Sequence, residues 1–395
     1  MKSYYKPLGS YIQAVNGRNS DLGDLPLMGL SIQKMFIPSI ANIIGTDMST
    51  YRIIERNQFA YGPVTSRNGD KITIALFNDF DKALISQAYV PFEVKDSNEL
   101  DPEYLMMWFR RPEFDRYARF KSHGSAREIF DWEEMCNTLL PVPHIDKQRE
   151  IVKEYNTIQN RIALNQQLIQ KLEETAQAIY KQWFVEFEFP DGNGKPYKSN
   201  GGEMVWNDEL GKEIPIGWEK CILKDISNCL DYKRRPLSEE ERSDFKGAYP
   251  YYGAMGIVDY VFDYLFDGEY LLFSEDGVNV ITEKGYPSVF LINEKFWVNN
   301  HAHILEGKDG YSTRLLYSML KEVNVNDIVT GAAQPKINQE NMNSISLLKP
   351  YLDVVCNFDK LINPIFDKIQ LKSKENQKLT EMKDLLLSKL ATVEN

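Results

Sequence analysis

The sequence lacks the side-chain patterns on which the commonest enzyme sites depend. No Gly-Lys-Ser or Gly-Lys-Thr phosphate loop occurs, so the chain encodes no ATP-driven motor. The amino-methyltransferase pattern, an acidic residue or Asn followed by two prolines and an aromatic residue, is absent because Asn363-Pro364 continues as Ile-Phe. The chain has four histidines, which argues against a hidden acid–base centre. The sequence therefore predicts a non-catalytic chain without a cofactor.

Two of these histidines, His301 and His303, could share one face of a strand and ligate a metal ion. No neighbouring Cys or group of carboxylates completes such a site, so we expect no metal there. The cysteines are too few and too scattered for a disulfide framework or a zinc site: Cys136, Cys221, Cys229 and Cys356. The N-terminal stretch has no signal pattern, and no run approaches the roughly 18 apolar residues of a membrane span. We expect a cytoplasmic protein.

Positive charge is concentrated in short stretches, although the 395-residue chain has a net charge of −11. One stretch contains six basic residues: Arg110, Arg111, Arg116, Arg119, Lys121 and Arg127. Another is the contiguous run Lys233–Arg235. Composition alone favours an acidic globular protein, but a nucleic-acid binder needs only one basic face. The acidity predicts weak non-specific binding to DNA, with partner subunits supplying part of the electrostatic attraction.

The second half of the sequence repeats the first. Aligning Gly124 with Gly331 gives an offset of 207 residues, and the same offset places Pro143 on Pro350. The register continues without a gap as far as Ile179. Few aligned positions are identical, and a chance match between two helical segments is the alternative. We interpret the pattern as a duplication, which predicts two copies of one structural unit.

Each repeat ends in a heptad pattern. In the first repeat its positions are Ile151, Tyr155, Ile158, Ile162, Asn165, Ile169, Leu172, Ala176 and Ile179. In the second they are Phe358, Ile362, Ile365, Ile369, Lys372, Asn376, Leu379, Lys383 and Leu386. This spacing predicts two long helices, the first about 60 Å long, that pack as an antiparallel coiled coil. The polar residues at one shared repeat position, Asn165 and Lys372, would fix register at a cost in stability. Two unrelated amphipathic helices are the alternative.

The regions before the helices indicate mixed α and β structure. Short β-rich runs such as Glu269–Phe273 alternate with turn signals such as Asn68-Gly69. One clear helical stretch lies near Pro102–Arg110 and another near Thr313–Lys321. Turn-forming residues from Asp191 to Gly202 separate the two halves. The predicted class is α+β, in the order globule, long helix, linker, globule, long helix.

Several segments, in this order, resemble those of the specificity subunits of type I restriction–modification systems. The resemblance rests on Ala176–Phe187 with its Trp-Phe pair, Glu213–Glu219, Tyr249–Ile257, Phe273–Gly277, Val298–His303 and, in the first half, Tyr51–Tyr61. It covers essentially the whole chain. It implies a first target-recognition domain (1–143), a central conserved helix (144–190), a linker (191–217), a second target-recognition domain (218–350) and a C-terminal conserved helix (351–395).

The resemblance implies that each recognition domain reads one half of a split, asymmetric target on double-stranded DNA. The helices would hold the domains apart and receive two methyltransferase subunits, and restriction/translocase subunits would join that core. Reading requires side chains that reach base edges or phosphates. The candidates are Arg67, Asn68, Lys121, Ser122, His123, Ser125 and Arg127 in the first domain, and Lys233, Arg234, Arg235, Gln334 and Lys336 in the second. A solvated loop with a capping role is the alternative for each.

Three other interpretations remain open. The chain could be an enzyme whose signature has diverged, or a coiled-coil scaffold that never touches bases. It could also serve a methyltransferase-only complex whose nuclease has been lost, which the sequence does not distinguish from the main interpretation.

Overall fold

The computed structural model describes residues 5–41, 45–66, 68–124, 127–331 and 334–393. The chain divides into two units. Unit 1 comprises Met1–Leu164 together with Glu375–Asn395, and unit 2 comprises Asn165–Lys374. Both divisions fall inside a long helix.

The strands are, in chain order, β1 (Tyr5–Pro7), β2 (Ile12–Ala14), β3 (Leu27–Leu30), β4 (Phe36–Pro38), β5 (Arg52–Glu55), β6 (Phe59–Tyr61), β7 (Ile74–Leu76), β8 (Lys82–Ile85), β9 (Val90–Val94), β10 (Leu139–Pro141), β11 (Met204–Asn207), β12 (Lys212–Pro215), β13 (Glu219–Ile222), β14 (Ser227–Cys229), β15 (Lys246–Gly253), β16 (Gly256–Val261), β17 (Phe266–Ser274), β18 (Val289–Val298), β19 (Ala302–Gly307) and β20 (Ser346–Lys349).

The helices are α1 (Pro102–Arg110), α2 (Pro112–Lys121), α3 (Trp132–Asn137), α4 (Ile145–Tyr180), α5 (Leu223–Ile226), α6 (Glu239–Asp244), α7 (Thr313–Leu320), α8 (Gln339–Asn343) and α9 (Leu352–Lys389). A π-helical turn at Lys181–Val185 continues α4 and carries the Trp-Phe pair. The described part of the chain thus combines many short strands with two long helices, which confirms the predicted α+β class.

Unit 1 contains two four-stranded sheets, in the orders β2-β9-β6-β7 and β4-β3-β8-β5, and the antiparallel pair β1–β10. Helix α1 begins where expected, because the Asp101 carboxylate accepts hydrogen bonds from the first-turn amides of Glu103 and Tyr104. Its apolar face lies in the core with the stacked rings of Phe59 and Phe92, whose centroids are 4.9 Å apart.

Unit 2 is built on a six-stranded sheet in the order β14-β19-β17-β18-β15-β16, in which only the β15–β18 pair is parallel. Helix α7 packs on β17, β18 and β19. Its start is capped by the Ser312 hydroxyl, which accepts from the Leu315 amide at 3.1 Å. The stretch 191–217, expected as a linker, contains the β11–β12 hairpin.

The two long helices pair in antiparallel directions within each unit, as predicted. In unit 1, Tyr155 near the start of α4 shares a core with Leu387 near the end of α9, and Arg161 Nε lies 2.7 Å from Glu375 Oε1. In unit 2, Phe358 near the start of α9 packs against Phe184, which lies just beyond the end of α4. The centroids of the two rings are 4.9 Å apart. Residue numbers therefore rise along one helix as they fall along the other.

The heptad positions named from the sequence lie on the buried side of both helices. All are buried or half-buried: Ile151, Tyr155, Ile158, Ile162, Asn165, Ile169 and Leu172 on α4, and Phe358, Ile362, Ile365, Ile369, Lys372, Leu379 and Leu386 on α9. Asn165 is 3% exposed and Lys372 is 9% exposed. Each has an interaction partner, so neither is an uncompensated polar group in the seam.

The structure repeats at the offset found in the sequence. Strand β10 begins at Leu139 and β20 at Ser346, while α4 begins at Ile145 and α9 at Leu352. Both intervals equal the 207 residues that separate Gly124 from Gly331. Each repeat therefore ends with the same sequence of elements: a short helix (α3 or α8), a strand and a long helix.

The short helices α3, α5, α6 and α8 were not predicted, since four to six residues show no helical periodicity. Side chains cap the start of three of them, and the Ser238 hydroxyl does so for α6 by accepting from the Glu241 amide at 3.2 Å. Asp131 accepts from the Glu134 amide, and Asn338 from the Asn341 amide, both at 2.8 Å. Within the described ranges, no helix is both long enough and apolar enough to cross a bilayer.

The end of the chain stabilises unit 1, which gives a direct test by leucine truncation. Leu390 is 1% exposed within the unit 1 core, whereas Leu385, one and a half turns earlier, is 54% exposed. We predict that Leu390→Ala lowers the free energy of unfolding by about 2–4 kcal/mol, because it removes buried methyl groups and leaves a cavity. Leu385→Ala should change it by less than about 0.5 kcal/mol. Urea denaturation followed by tryptophan fluorescence measures both, and equal effects would contradict this packing.

Candidate nucleic-acid interface

In each repeat one loop precedes the last short helix, and these two loops are equivalent. In unit 1, His123 and Ile129 exchange backbone hydrogen bonds of 3.1 and 2.9 Å. In unit 2, Thr330 and Lys336 exchange two of 2.8 Å. These pairs lie at the 207-residue offset, so both repeats close a loop of the same size in the same way. We call residues 123–129 the first closed loop and residues 330–336 the second closed loop.

Each closed loop requires a glycine at the same position. Gly124 has a φ of +135° and Gly331 a φ of +82°, which L-residues with a side chain rarely adopt. A Cβ added to Gly124 would lie 2.2 Å from the Arg127 carbonyl oxygen, and one added to Gly331 would lie 2.4 Å from the Gln334 carbonyl oxygen. Arg127 and Gln334 are themselves repeat equivalents. The backbone shape of both loops therefore depends on these glycines.

In unit 1 the first closed loop lies beside the turn that contains Asn68. The Thr65 amide donates to the Glu128 carbonyl at 3.0 Å, and the Thr65 hydroxyl lies 2.9 Å from the Ser122 hydroxyl. Asn68 closes the turn by donating from its side-chain amide to the Val64 carbonyl at 3.2 Å. The two candidate segments of the first domain are thus adjacent.

The candidate side chains of unit 1 differ in whether they are free to contact a ligand. His123 and Arg127 are exposed, and neither side chain has a hydrogen-bond or ion-pair partner among the described residues. Lys121 is half-buried and pairs with Glu134 at 3.2 Å. Arg67 and Ser125, two further candidates, lie outside the described residues.

In unit 2 the basic run is divided between the interior and the surface. The Arg234 side chain is 16% exposed and pairs with Asp231 at 3.0 Å and with Glu275 at 2.9 Å. Lys233 and Arg235 are exposed and form no ion pair within the described ranges. Arg234 therefore has a structural role in this unit, whereas its two neighbours remain available to a ligand.

Glu275 connects this run to the second closed loop. Its carboxylate also lies 3.0 Å from Lys336 Nζ, and its backbone carbonyl accepts from the Ile337 amide at 2.8 Å. Burial alone would raise the pKa of Glu275, but hydrogen bonds from Arg234 and Lys336 and the electrostatic attraction of neighbouring side chains together hold the pKa below its ordinary value. Both candidate segments of the second domain thus meet at one ionised carboxylate, with Gln334 exposed beside them.

One group of side chains has the composition of a metal site. Cys229, Asp231 and His303 offer three ligand atoms that lie within 4.8 Å of one another. However, His303 Nδ1 lies 2.5 Å from Asp231 Oδ2 and its Nε2 lies 3.0 Å from the Ile337 carbonyl oxygen. Both ring nitrogens face acceptors, and burial raises the pKa of the Cys229 thiol to about 11. A metal ion at this place would therefore have to displace an existing contact of the imidazole.

The two histidines that sequence analysis paired are separated by their surroundings. His303 is 1% exposed, whereas His301 is exposed and lies 2.9 Å from Asp276. Sequence analysis missed Asp231 and Glu275 as site residues. The available signals were weak: Asp231 comes three residues before Arg234, and Glu275 lies inside the family-like segment Phe273–Gly277.

Single alanine substitutions should distinguish the interior and surface members of the basic run. Arg234→Ala leaves the buried carboxylates of Asp231 and Glu275 with less compensation, so we predict a loss of roughly 3–5 kcal/mol in the free energy of unfolding. Lys233→Ala and Arg235→Ala should change it by less than about 0.5 kcal/mol. Urea denaturation of the three variants provides the comparison. An Arg234→Ala protein as stable as the wild type would contradict the structural role.

Comparison with known proteins gives consistent matches along the chain. The family model for the type I restriction modification DNA specificity domain matches twice, at residues 43–174 and 215–382. The MjaIX type I restriction enzyme specificity subunit of Methanocaldococcus jannaschii is 25% identical over 314 residues, which are 73% of this chain and 68% of that protein. The HindI specificity subunit of Haemophilus influenzae is 23% identical over an alignment that covers 89% of each.

A solved structure has the same fold. The S subunit of a type I restriction–modification system from M. genitalium superposes with a TM-score of 0.56 at 15% sequence identity, covering 99% of this chain and 96% of that one. The two family matches together span more than half of the sequence, and each ends in one of the long helices. The chain therefore belongs to the family of type I restriction–modification specificity subunits, with the specificity domain present twice.

Proposed function

We propose that this protein reads DNA sequence for a type I restriction–modification complex, with each unit recognising one half of a split, asymmetric target. The observation that carries the proposal is the repeated closed loop. Two loops with the same closure, the same glycine requirement and the same place in the repeat are flanked by different side chains. Two similar scaffolds with different residues are what two dissimilar half-sites require.

The proposed domains follow the boundaries expected from the sequence. Residues 1–143 and 218–350 are the recognition domains, residues 144–190 and 351–395 are the conserved helices, and residues 191–217 connect the two halves. The chain supplies recognition, and bound subunits supply the chemistry. Its relatives are named specificity subunits, which agrees with a non-catalytic role.

The exposed candidates have the chemistry for direct contact with DNA. Arg127, Lys233 and Arg235 can bind phosphates or donate to guanine, and the Gln334 amide can pair with adenine. His123 and Lys336, exposed in the closed loops, are further candidates. For the half-buried or internally bonded candidates, we propose that they shape the interface: Asn68, Lys121, Ser122 and Arg234.

Internal pairing of basic residues agrees with the acidic composition. Lys121, Arg234 and Lys336 each have a carboxylate partner within 3.2 Å, so fewer cations are free for phosphate than the sequence suggests. Phosphate neutralisation governs non-specific affinity. The chain alone should therefore bind DNA weakly, and partner subunits should add the missing attraction.

The long helices offer equivalent exposed positions for partner subunits. Leu164 is 61% exposed on α4 and Leu371 is 58% exposed on α9, and they occupy the same repeat position. Equivalent apolar positions suit two copies of one partner, which supports docking of two methyltransferase subunits. Restriction/translocase subunits would join this assembly. A methyltransferase-only complex would use the same surfaces.

Methylation mapping with loop variants tests the proposal. The chain is co-expressed with its cognate methyltransferase subunit, and methylated genomic sites are mapped by sequencing. The wild type should mark one split motif with two dissimilar halves. Gly124→Ala should relax recognition in one half only and Gly331→Ala in the other only, by roughly tenfold per affected base pair, because each distorts one closed loop.

Gly211→Ala is the matched control. Gly211 also has a positive φ, +61°, but it lies in the β11–β12 hairpin, outside both closed loops, with no atom within 4 Å of an added Cβ. This variant should retain the wild-type motif. A wild-type complex that methylates without a split motif would overturn the proposed function. Loop variants that each relax both halves would contradict the assignment of one half-site to each unit.

A further inference from the structure

Four segments of unit 2 meet at one buried group of charged side chains. Asp231 and Arg234 come from the loop after β14, Glu275 follows β17, and His303 lies in β19. Lys336 of the second closed loop completes the group through Glu275. We call these five residues the charge cluster.

His303 contacts two oxygen atoms inside the cluster. Its Nε2 faces the Ile337 carbonyl, which can only accept, and its Nδ1 faces Asp231. Burial would raise the pKa of Asp231, but the hydrogen bonds from His303 and the Ile304 amide, together with the nearby charge of Arg234, outweigh it, so this pKa lies below its ordinary value. The cluster brings the carboxylates of Asp231 and Glu275 together with the side chains of Arg234, His303 and Lys336.

Glu275 uses its two carboxylate oxygens for two different loops. Oε2 lies 2.9 Å from Arg234 Nη1, and Oε1 lies 3.0 Å from Lys336 Nζ. Its backbone amide also donates to the His301 carbonyl at 2.9 Å. The Glu275 side chain is 12% exposed, whereas that of Lys336 is 46% exposed. A largely buried carboxylate thus binds the ammonium group of a lysine side chain that is partly exposed to solvent.

We propose that Glu275, supported by Asp231 and His303, is a positioning residue that aims Lys336 and fixes the second closed loop for reading of the second half-site. The inference rests on the proposed function and deepens it. The loop after β14 and the second closed loop both bind the Glu275 carboxylate, which fixes their positions relative to each other. Base recognition requires side chains held within a fraction of an ångström. Glu275 also prevents Lys336 from acting as a free phosphate-binding cation.

Among the described residues of unit 1, no carboxylate takes the place of Glu275. Phe130 is the repeat equivalent of Ile337, whose amide donates to the Glu275 carbonyl. The Phe130 amide donates to the Pro63 carbonyl at 2.8 Å, so Pro63 takes the place of Glu275 in the backbone of unit 1. Neutral hydrogen bonds of Thr65 connect the segments there. The positioning residue therefore belongs to one recognition domain, and its substitution should affect recognition of one half of the target.

The glutamine variant Glu275→Gln separates positioning from mere stabilisation. Glutamine has one acceptor oxygen in place of two and carries no charge, so Lys336 loses its anchor and the surface near DNA loses an anion. Affinity for unrelated DNA should rise, since the released ammonium can bind phosphate. Discrimination against changes in the second half-site should fall roughly tenfold, and discrimination in the first half-site should stay unchanged. A merely structural defect would instead lower affinity for all DNA.

The measurement uses the complex with the methyltransferase subunit and duplexes based on the motif mapped for the wild type. Dissociation constants are measured by fluorescence anisotropy for the cognate duplex, for duplexes altered in either half, and for an unrelated duplex. Glu219→Gln is the matched control, because Glu219 also pairs with a lysine, Lys349, at 3.1 Å but lies in the β13–β20 pair. It should behave like the wild type.

Lys336→Met supplies a second test that is independent of the buried carboxylate. It should lower second-half discrimination, and Glu275→Gln should then add no further loss in the Lys336→Met background. Glu275→Gln and Lys336→Met proteins that discriminate as the wild type does would overturn the inference, as would equal losses in both halves. Failure of the wild type to recognise a split motif would instead refute the proposed function.

Discussion

The apolar seam between the two long helices is the constraint on which the rest of the structure depends. Heptad-spaced side chains on α4 and α9 must leave water, and within each unit they do so against the helix of the other repeat. Leu387 and Leu390, near the end of the chain, lie in the core of unit 1. Unit 1 is therefore completed by residues that follow unit 2 in sequence. Each unit thus contains parts of both repeats, and the unit boundaries fall inside the long helices.

This constraint also explains why the candidate interface lies where it does. Each closed loop is followed by a short helix, a strand and then a long helix, which begins 16 residues after the loop ends. The loop is therefore connected through a short segment to the long helix whose apolar side lies in the core. Reading loops on rigid supports lose little entropy on binding. The two glycines then allow the backbone of each loop to turn sharply, and the surrounding side chains are free to differ between the repeats.

Features with a local sequence signal could be predicted, and features that depend on distant contacts could not. Helical periodicity, the repeat offset and the glycines are visible along the chain, and they gave the fold class and the equivalence of the closed loops. Arg234 illustrates a feature that the sequence does not predict. In sequence it belongs to a basic run, but in the fold it lies inside and pairs with Glu275, 41 residues away. Nothing in the neighbourhood of a single arginine reveals such a partner, because the strand order of the sheet decides which loops meet.

Exchange of the first recognition domain tests the central claim most directly. Residues 1–143 would be replaced by those of a relative with a different target, retaining apolar residues where the domain packs on Leu387 and Leu390. The methylated motif of the hybrid complex would then be mapped. The account predicts that one half of the motif changes to that of the donor while the other half is retained. A motif that changes in both halves, or in neither, would contradict it.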